Sequence, residues 1–477
     1  MILTGGFETA RAFRRIRPDL QLLAETSGKN AIIVTPSADF DLAAKDIVES
    51  AFGHAGQKCS AASLAILVGQ AGRSRRLHNQ IVDSVRSLAV GQPWEPTSQM
   101  GPVIAPAEGK LLEGLTTLGE GEQWVVEPKR LDEEGRLWSP GVRAGVQSGS
   151  EYHRTEYFGP ILGIMRADTL EEAIALVNEV DYGLTSGIHS LDPDEIGTWF
   201  DSVEAGNLYV NRGITGAIVE RQPFGGWKRS VVGPTTKAGG PSYLMPLVDW
   251  RTTEARELAP VELPAVQALV DAIDALARSA DASSGRGADA SATADEAAAL
   301  RRAAGSDQRV WATELGVAMD VQRLSAERDI LRHLPMPGVT IRLAEGGRVA
   351  QLARTVAAAL RAGAEARVST AIDPAPAVRA ALAAAGIPVV VQDDAAFRRS
   401  AQRLEQGRLR YLAGEDAVAA GVRALAEAVE GRPDLAIVWH PVTESGRLEL
   451  LPYLREQAVA ITAHRFGTPN HLTDALI

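Results

Sequence analysis

Short apolar runs alternate with amphipathic stretches along the first 250 residues of the chain. The runs at 31–34 and 64–68 favour strands, and the stretches at 42–52 and 170–180 repeat apolar residues at helical spacing. This alternation is typical of a parallel α/β sheet covered by helices. The first residues, Met1 to Gly6, predict a buried strand that runs directly into a glycine turn.

A second and more regular alternation begins at Gly338. It predicts strands separated by Ala-rich helices, a Rossmann-like series of βα units. The predicted strands are 339–343, 366–370, 387–391, 409–412 and 435–439, and the predicted helices are 348–361, 375–385, 394–405 and 416–429. The turn Ala344 to Gly347 lacks the Gly-x-Gly-x-x-Gly pattern of dinucleotide sites and is better explained as a plain βα turn, so we assign this unit no cofactor.

The two alternations are separated by a stretch without large apolar side chains, 279–292. Such a composition does not offset the entropy lost on ordering. We therefore predict a flexible linker at 279–300.

Composition and charge exclude several classes of protein. With 477 residues, of which 45% are hydrophobic, the chain has the length of about three domains. The 60 acidic and 49 basic residues give a net charge of −11, which disfavours nucleic acid as a partner. Because no apolar stretch approaches the roughly 18 residues of a spanning helix and no signal-peptide core is present, we expect a cytoplasmic protein with no membrane span.

Cys59 is the single cysteine of the chain, which excludes an internal disulfide and a multi-cysteine zinc site. The histidines His464 and His471 lack helical spacing and a nearby group of carboxylates, so we assign no metal site. A lone cysteine is more often an inert buried side chain than a nucleophile. Here, however, Gly56 allows close backbone approach, small neighbours leave the sulfur accessible, and Lys58 is a candidate cation that would stabilise the thiolate.

Glu25 ends an apolar run and immediately precedes a turn. Burial there would favour the neutral acid and prepare it for proton transfer, whereas the alternative is a solvated loop carboxylate. A cysteine that attacks a carbonyl needs a base for the later hydrolytic step. Glu25 is our leading candidate for that base, with Cys59 as the nucleophile.

Several segments, taken in order, resemble the aldehyde dehydrogenase family. They are Glu25 to Asn30, similar to the general-base motif; Gly56 to Cys59, similar to the nucleophile motif; Glu156 to Pro160, similar to Glu-x-Phe-Gly-Pro; Asn178 with Tyr182 to Thr185; and Gly206 to Asn211. The separation of Glu25 and Cys59 also matches the family pattern. The resemblance implies NAD as the cofactor.

The resemblance also implies roles for individual residues. Those that would contact NAD are Thr4, Gly5, Gly6, Thr26, Glu156 and Phe158, with Glu156 on the nicotinamide ribose and Phe158 beside the ring. The segment from Asn211 to Gly226 resembles the aldehyde-anchor loop of L-glutamate-γ-semialdehyde dehydrogenases. In that family the residues matching Ser60, Gly216 and Ala217 hold the α-carboxylate and amino end of the substrate, and the one matching Phe224 packs on its aliphatic part.

As a whole, the chain resembles the carboxy-terminal portion of bifunctional proline utilization A proteins. The implied fold class is α/β: an aldehyde dehydrogenase-like catalytic domain with a truncated Rossmann cofactor domain, followed by a second Rossmann-like α/β domain. The expected segments are a remnant of the NAD-binding domain at 1–26, the catalytic domain at 27–235, a connecting and oligomerisation segment at 236–278, the linker at 279–300 and the C-terminal domain at 301–477.

The activity implied by the resemblance is NAD-dependent oxidation of L-glutamate γ-semialdehyde to L-glutamate in proline catabolism. A family member would carry most of its cofactor domain before Thr4. The implied partners are therefore further copies of this chain, in a homo-oligomer, and a partner chain that supplies proline dehydrogenase and the rest of the cofactor domain. The alternative is a structural or oligomerisation module that keeps the catalytic scaffold without catalysis of its own.

Overall fold

The computed structural model describes residues 1–234, 236–280, 291–404 and 407–476. Strands and helices alternate through the first 250 residues, as the hydrophobic pattern predicts. The strands are β1 (Ile2–Thr4), β2 (Leu23–Glu25), β3 (Asn30–Val34), β4 (Ala62–Val68), β5 (Gln123–Val126), β6 (Gly141–Ala144), β7 (Ile161–Ala167), β8 (Tyr182–Gly183), β9 (Thr185–His189), β10 (Asn207–Val210), β11 (Trp227–Lys228) and β12 (Val231–Val232). The helices are α1 (Phe7–Ile16), α2 (Phe40–Phe52), α3 (Gly69–Arg73), α4 (Arg75–Arg86), α5 (Gly109–Thr116), α6 (Glu151–Arg154), α7 (Leu170–Asn178) and α8 (Pro193–Ser202).

The remaining residues begin with two long helices and continue with the second alternation. The helices are α9 (Pro264–Ala280), α10 (Ala294–Val310), α11 (Val349–Ala362), α12 (Pro376–Ala384), α13 (Asp394–Ala401), α14 (Glu415–Ala428) and α15 (Gly446–Glu449). The strands are β13 (Met319–Asp320), β14 (Glu327–Pro335), β15 (Val339–Leu343), β16 (Ala366–Thr370), β17 (Val389–Val391), β18 (Gly407–Leu412), β19 (Leu435–Val438), β20 (Leu454–Thr462), β21 (His464–Arg465) and β22 (Thr468–Pro469).

A ten-stranded sheet forms the main layer, in the order β13-β14-β20-β10-β9-β3-β4-β7-β6-β5. Its central strands are parallel, as expected for strands joined by helical crossovers. The strand β3 is buried along its whole length, which agrees with its apolar run. The crossover helix α2 begins where the Asp39 carboxylate accepts hydrogen bonds from two backbone N–H groups, and its apolar face packs into the same core.

The first strand lies in a separate small sheet. Here β1 pairs in parallel with β2, and β2 pairs antiparallel with β12. The prediction of a strand at the amino terminus is confirmed, but the prediction that it is buried is wrong. Ile2 is 57% exposed, because β1 is the edge strand of this three-stranded sheet.

The second alternation folds into a five-stranded parallel sheet, in the order β17-β16-β15-β18-β19. The predicted strands 339–343 and 366–370 match β15 and β16 residue for residue. The third predicted strand, 387–391, begins only at Val389, since Pro388 has no N–H to donate to the ladder. The central helix α11 is buried on most of its surface among small Ala side chains.

The last third of the chain also completes the first sheet. Strand β20 pairs in parallel with β10, and β14 pairs antiparallel with β20 over its full length. The boundary expected near residue 300 therefore does not assign each sheet to one side, because β13, β14 and β20 lie after it and still belong to the first sheet. The hydrophobic pattern of β20 predicts a strand equally well in either sheet, so pattern alone does not reveal its partner.

The segment predicted as a linker, 279–300, differs from the expectation at both ends. Residues 279–280 belong to α9, and α10 begins at Ala294, where Thr293 and Glu296 form a capping box. Residues 281–290 lie outside the described residues. Within the described part of the chain, no helix is long and apolar enough to cross a membrane.

A buried ion pair joins α10 to α11. The Arg354 guanidinium donates to both oxygens of Asp307, at 2.7 and 2.9 Å, and also to the carbonyl of Thr443 at 2.8 Å. The two paired side chains are 5% and 1% exposed. Removal of one partner would leave an uncompensated buried charge.

We predict that Asp307→Asn lowers the free energy of unfolding by about 3–5 kcal/mol, because Arg354 loses its counter-charge in the interior. The matched control is Asp274→Asn, whose partner Arg301 is 54% exposed, and we expect a loss below about 1 kcal/mol there. Urea unfolding followed by tryptophan fluorescence measures both. Equal losses in the two variants would contradict the prediction.

Candidate active site

Cys59 lies in the short loop that leads into β4, and a buried asparagine holds this loop. The Asn30 amide nitrogen donates to the carbonyls of Cys59 and Ala61, at 2.8 and 2.9 Å. Its amide oxygen accepts from the backbone N–H of Thr185 at 3.0 Å. Because Asn30 bonds on both sides, it fixes the loop to the start of β9. No role was predicted for Asn30, although a polar residue at the start of an apolar strand is a usable signal in the sequence.

The turn before the cysteine has a left-handed backbone. His54, Ala55 and Gly56 have φ values of 56°, 53° and 67°. A Cβ atom at Gly56 would lie 2.1 Å from the carbonyl oxygen of Gly159, so only glycine fits there. The prediction that Gly56 allows close backbone approach is confirmed.

The segment from Glu156 to Gly159 contacts both the cysteine loop and the segment that begins at Glu25. The Gln57 side chain donates to the carbonyl of Phe158 at 3.1 Å, and its oxygen accepts from the N–H of Ile104 at 2.7 Å. The Glu156 carboxylate accepts from the N–H of Gly28 at 3.0 Å. The structure therefore brings together the three motif segments that begin at Glu25, Gly56 and Glu156.

Glu25 ends β2 beside the glycine pair Gly225 and Gly226. Its carboxylate accepts from the N–H of Gly226 at 3.2 Å. Desolvation raises the pKa of Glu25 to about 8, while the nearby Lys237 and the Gly226 N–H oppose the shift. The direction agrees with the expectation that the neutral acid is favoured at this position.

Cys59 is half-buried, and its pKa is raised. Burial is the main cause, the negative charge of Glu25 adds to it, and Glu156 contributes in the same sense. The expected role of Lys58 needs correction. Its charge does favour the thiolate, but burial and the two carboxylates outweigh it, and its ammonium donates to the carbonyl of Thr215. The resting form of Cys59 is therefore the thiol.

The same Lys58 contact holds the loop in which the substrate-binding residues were predicted. Gly216 and Ala217 directly follow Thr215 and are exposed, whereas Ser60 is buried beside Cys59. Phe224 is half-buried, and its backbone pairs in both directions with Ala238 at 2.8 and 2.9 Å. Ser60 thus lies in the cysteine loop, and the Lys58 contact brings Thr215, the neighbour of Gly216, to this loop, while the roles of the predicted substrate residues remain predictions.

Ion pairs to β14 hold the same loop. Arg221 bonds to Glu327 and Asp329 of β14, with 3.1 Å to the Asp329 carboxylate, and Arg212 bonds to Glu327. These contacts could not be predicted from the sequence, because they join residues more than 100 positions apart. The loop at 211–226 is therefore bound on one side to the cysteine loop and on the other to β14.

The amino-terminal residues predicted to contact a cofactor lie beside Glu25. Thr4 is the register partner of Glu25, and the N–H of Gly5 donates to the Glu25 carbonyl at 3.2 Å. Gly6 immediately precedes α1. The Thr26 hydroxyl donates to the carbonyl of Arg229. The Thr26 hydroxyl therefore has a hydrogen-bond partner within the protein, and its contact with the cofactor stays a prediction.

Lys237 is a site residue for which the sequence predicted no role. Its ammonium donates to the amide oxygen of Asn207 at 3.0 Å and to the carbonyl of Gly225. Burial lowers the pKa of Lys237 to about 8, against the pull of Glu25 and Glu456. Among the described residues, no group of three or more His, Cys, Asp or Glu side chains has an arrangement that holds a metal ion.

Comparisons with known proteins identify a family for the part of the chain that contains this site. The model of the aldehyde dehydrogenase family matches residues 1–253. The 1-pyrroline-5-carboxylate dehydrogenases of Bacillus cytotoxicus and Bacillus subtilis are 38% identical over 234 residues and 36% identical over 251 residues. Each match covers 49% of this chain and 45% of the relative, so the chain spans about half the length of these curated relatives.

A solved structure resembles nearly the whole chain. The structure of proline utilization A from Corynebacterium freiburgense is 42% identical, with a TM-score of 0.79. The match covers 98% of this chain and 42% of that chain. Likeness to a known protein therefore extends beyond the family match, into the residues that follow position 253, which we call the C-terminal unit.

The charge of Glu25 should have a measurable effect on the reactivity of Cys59. We predict that Glu25→Gln speeds alkylation of Cys59 by iodoacetamide at least about twofold near pH 9, where Glu25 is ionised and opposes the thiolate. Near pH 6.5, where Glu25 is protonated, we expect little change. Mass spectrometry of the alkylated chain reports Cys59 alone, because the chain has one cysteine.

The matched control is Glu49→Gln, which removes an exposed carboxylate on α2, and Cys59→Ala gives the background. A rate ratio that is the same at both pH values would contradict an electrostatic contact between Glu25 and Cys59.

Proposed function

The chain belongs to the aldehyde dehydrogenase family, and on that premise we propose that it carries the catalytic half of an NAD-dependent dehydrogenase that oxidises L-glutamate γ-semialdehyde to L-glutamate. The observation that carries the proposal is the convergence of Cys59, Glu25 and Glu156 through direct contacts between their loops. The substrate class rests on the names of the relatives and on the loop at 211–226.

The proposed reaction begins at Cys59. Its sulfur loses a proton and bonds to the aldehyde carbon, which gives a thiohemiacetal on the enzyme. Bound NAD would accept the hydride that leaves this carbon. The carbonyl then re-forms, and Cys59 holds the acyl group as a thioester. Because burial raises the pKa of Cys59, its resting form is the thiol, which must lose its proton for the carbon–sulfur bond to form.

Glu25 serves the hydrolytic step. Its carboxylate takes a proton from water, the water oxygen attacks the thioester carbon, and the carbon–sulfur bond breaks to release L-glutamate and Cys59. With a pKa of about 8, only a minority of Glu25 is ionised at neutral pH. The rate of hydrolysis should therefore rise as the pH approaches 8.

The residues present fit the nicotinamide end of NAD. Glu156 and Phe158 line one cavity together with Gly28 and Lys58. The Glu156 carboxylate, oriented by the Gly28 N–H, is an acceptor for ribose hydroxyls, and the half-exposed Phe158 ring offers a flat apolar surface. We assign the ribose to Glu156, the ring to Phe158 and the approach to the phosphates to Thr4 and the two glycines that follow it.

The substrate's charged end is assigned to Ser60, Gly216 and Ala217. A hydroxyl and two backbone N–H groups suit a carboxylate, and the Phe224 ring suits the methylene groups. The extensive match to proline utilization A supports a larger polypeptide or assembly in which this chain acts in proline catabolism.

We predict different kinetic signatures for the two catalytic residues in the larger polypeptide or assembly proposed above. Cys59→Ala abolishes NADH formation, since no thiohemiacetal forms. Glu25→Gln lowers steady-state turnover at least about 10²-fold but keeps a single burst of NADH, because only the hydrolytic step loses its base. Stopped-flow NADH absorbance measures both, with Glu49→Gln as control, and turnover by Cys59→Ala would overturn the proposal.

The substrate assignment predicts a selective effect of Phe224→Ala. We expect the KM for L-glutamate γ-semialdehyde to rise about tenfold, because the variant loses packing against the methylene groups. The kcat/KM for acetaldehyde, which has no such chain, should change much less. Phe466→Ala is the matched control, since Phe466 is 89% exposed in the hairpin between β21 and β22. Equal losses for both aldehydes would contradict the assignment.

A further inference from the structure

One peptide group connects Glu25 to Lys237. The Lys237 ammonium donates to the carbonyl of Gly225, and the N–H of the same peptide unit, on Gly226, donates to the Glu25 carboxylate at 3.2 Å. A cation on the carbonyl side polarises the peptide, which strengthens the hydrogen bond that its N–H donates. Lys237 therefore favours the ionised form of Glu25 both directly, by its charge, and through this peptide.

Asn207 fixes the geometry of this arrangement. Its amide oxygen accepts from the N–H of Gly225 at 3.1 Å and from the Lys237 ammonium at 3.0 Å. Its amide nitrogen donates to the carbonyl of Pro223 at 3.0 Å. The glycine peptide and the lysine are thus held against the same side chain at the start of β10.

The far end of the chain supplies the counter-charge of Lys237. The Glu456 carboxylate, on β20, accepts from the backbone N–H of Lys237 at 2.7 Å, and its charge favours the protonated ammonium. Lys237 and Glu456 are 1% and 3% exposed. The pKa of Glu456 is lowered although burial opposes this, because His333 and Lys237 favour the carboxylate.

We propose, on the basis of the proposed function, that Lys237 is a positioning cation for the general base Glu25, and that Glu456 of the C-terminal unit keeps this cation charged. The C-terminal unit then contributes to hydrolysis through a residue that touches neither substrate nor cofactor.

Other ionisable groups around the cluster come from several elements. His333 on β14 lies 3.6 Å from the Glu456 carboxylate, and the buried Arg408 on β18 adds a positive charge near it. Cys59 and Tyr243 both interact with the charge of Glu25. Of these charged groups, only Lys237 is joined to Glu25 through the Gly225–Gly226 peptide.

The test follows the ionisation of Glu25 directly, by infrared difference titration of the protonated carboxyl band that Glu25→Gln removes. Glu456→Gln should shift the midpoint of this titration to higher pH. Without the charge of Glu456 the pKa of Lys237 falls, so less of its ammonium remains charged to favour the Glu25 carboxylate. We expect the ionised fraction of Glu25 near pH 7.5 to fall at least about twofold. Glu415→Gln, an exposed carboxylate of the same unit, should leave the midpoint unchanged.

Lys237→Met separates this role from general destabilisation. It should raise the midpoint further, and Glu456→Gln in the Lys237→Met background should add nothing, since Glu456 acts through the lysine. An unchanged midpoint in Glu456→Gln, or a full additional shift in the double variant, would overturn the proposal.

Kinetics on the larger polypeptide or assembly of the proposed function distinguish the two proposals. In Glu456→Gln, kcat near pH 7.5 should fall by the same factor as the ionised fraction of Glu25, with KM for the semialdehyde unchanged. If the infrared shifts occur but the wild-type enzyme forms no NADH, the proposed function fails while the coupling of Glu25 to Lys237 stands. If NADH forms and the midpoints do not move, only the present proposal fails.

Discussion

The parallel pairing of β10 with β20 is the constraint on which the rest of the structure depends. It joins Asn207–Val210 to residues 458–461, about 250 positions later, and it extends the sheet of the first unit with strands from the last third of the chain. Asn207 stands at the first position of this register and also holds the glycine peptide beside Glu25. The same pairing that completes the sheet therefore positions the side chain that holds Gly225 and Lys237 beside Glu25.

The second consequence of that pairing is electrostatic. Burial at the site pushes each ionisable group toward its neutral form: the pKa of Glu25 rises to about 8, that of Lys237 falls to about 8, and that of Cys59 rises. Near neutral pH, Glu25 is mostly the neutral acid, Lys237 is mostly the ammonium although its pKa is only about 8, and Cys59 is the thiol. Such an arrangement suits a reaction whose steps need the base and the nucleophile at different times.

Sequence alone predicted much of the fold and the principal motif residues. Strands β15 and β16 matched their predicted bounds because β-branched runs with sharp turn residues leave little freedom in strand position. The pairing of β20 and the ion pairs between β14 and the loop at 211–226 were not predictable, since they depend on register between distant segments. The effect of Lys58 was also misjudged, because a neighbour in sequence need not outweigh burial and charges that arrive from other elements.

Sheet continuity has a further implication for the relation between stability and catalysis. If β14 and β20 separated from β10, the hydrogen-bonding edge of β10 would be exposed, Arg212 and Arg221 would lose their carboxylate partners, and Lys237 would lose Glu456. These contacts converge on the loop that carries Gly216, Ala217 and Phe224 and on the peptide beside Glu25. Local opening of the C-terminal unit would therefore disturb substrate positioning and the general base together, while leaving Cys59 anchored by Asn30.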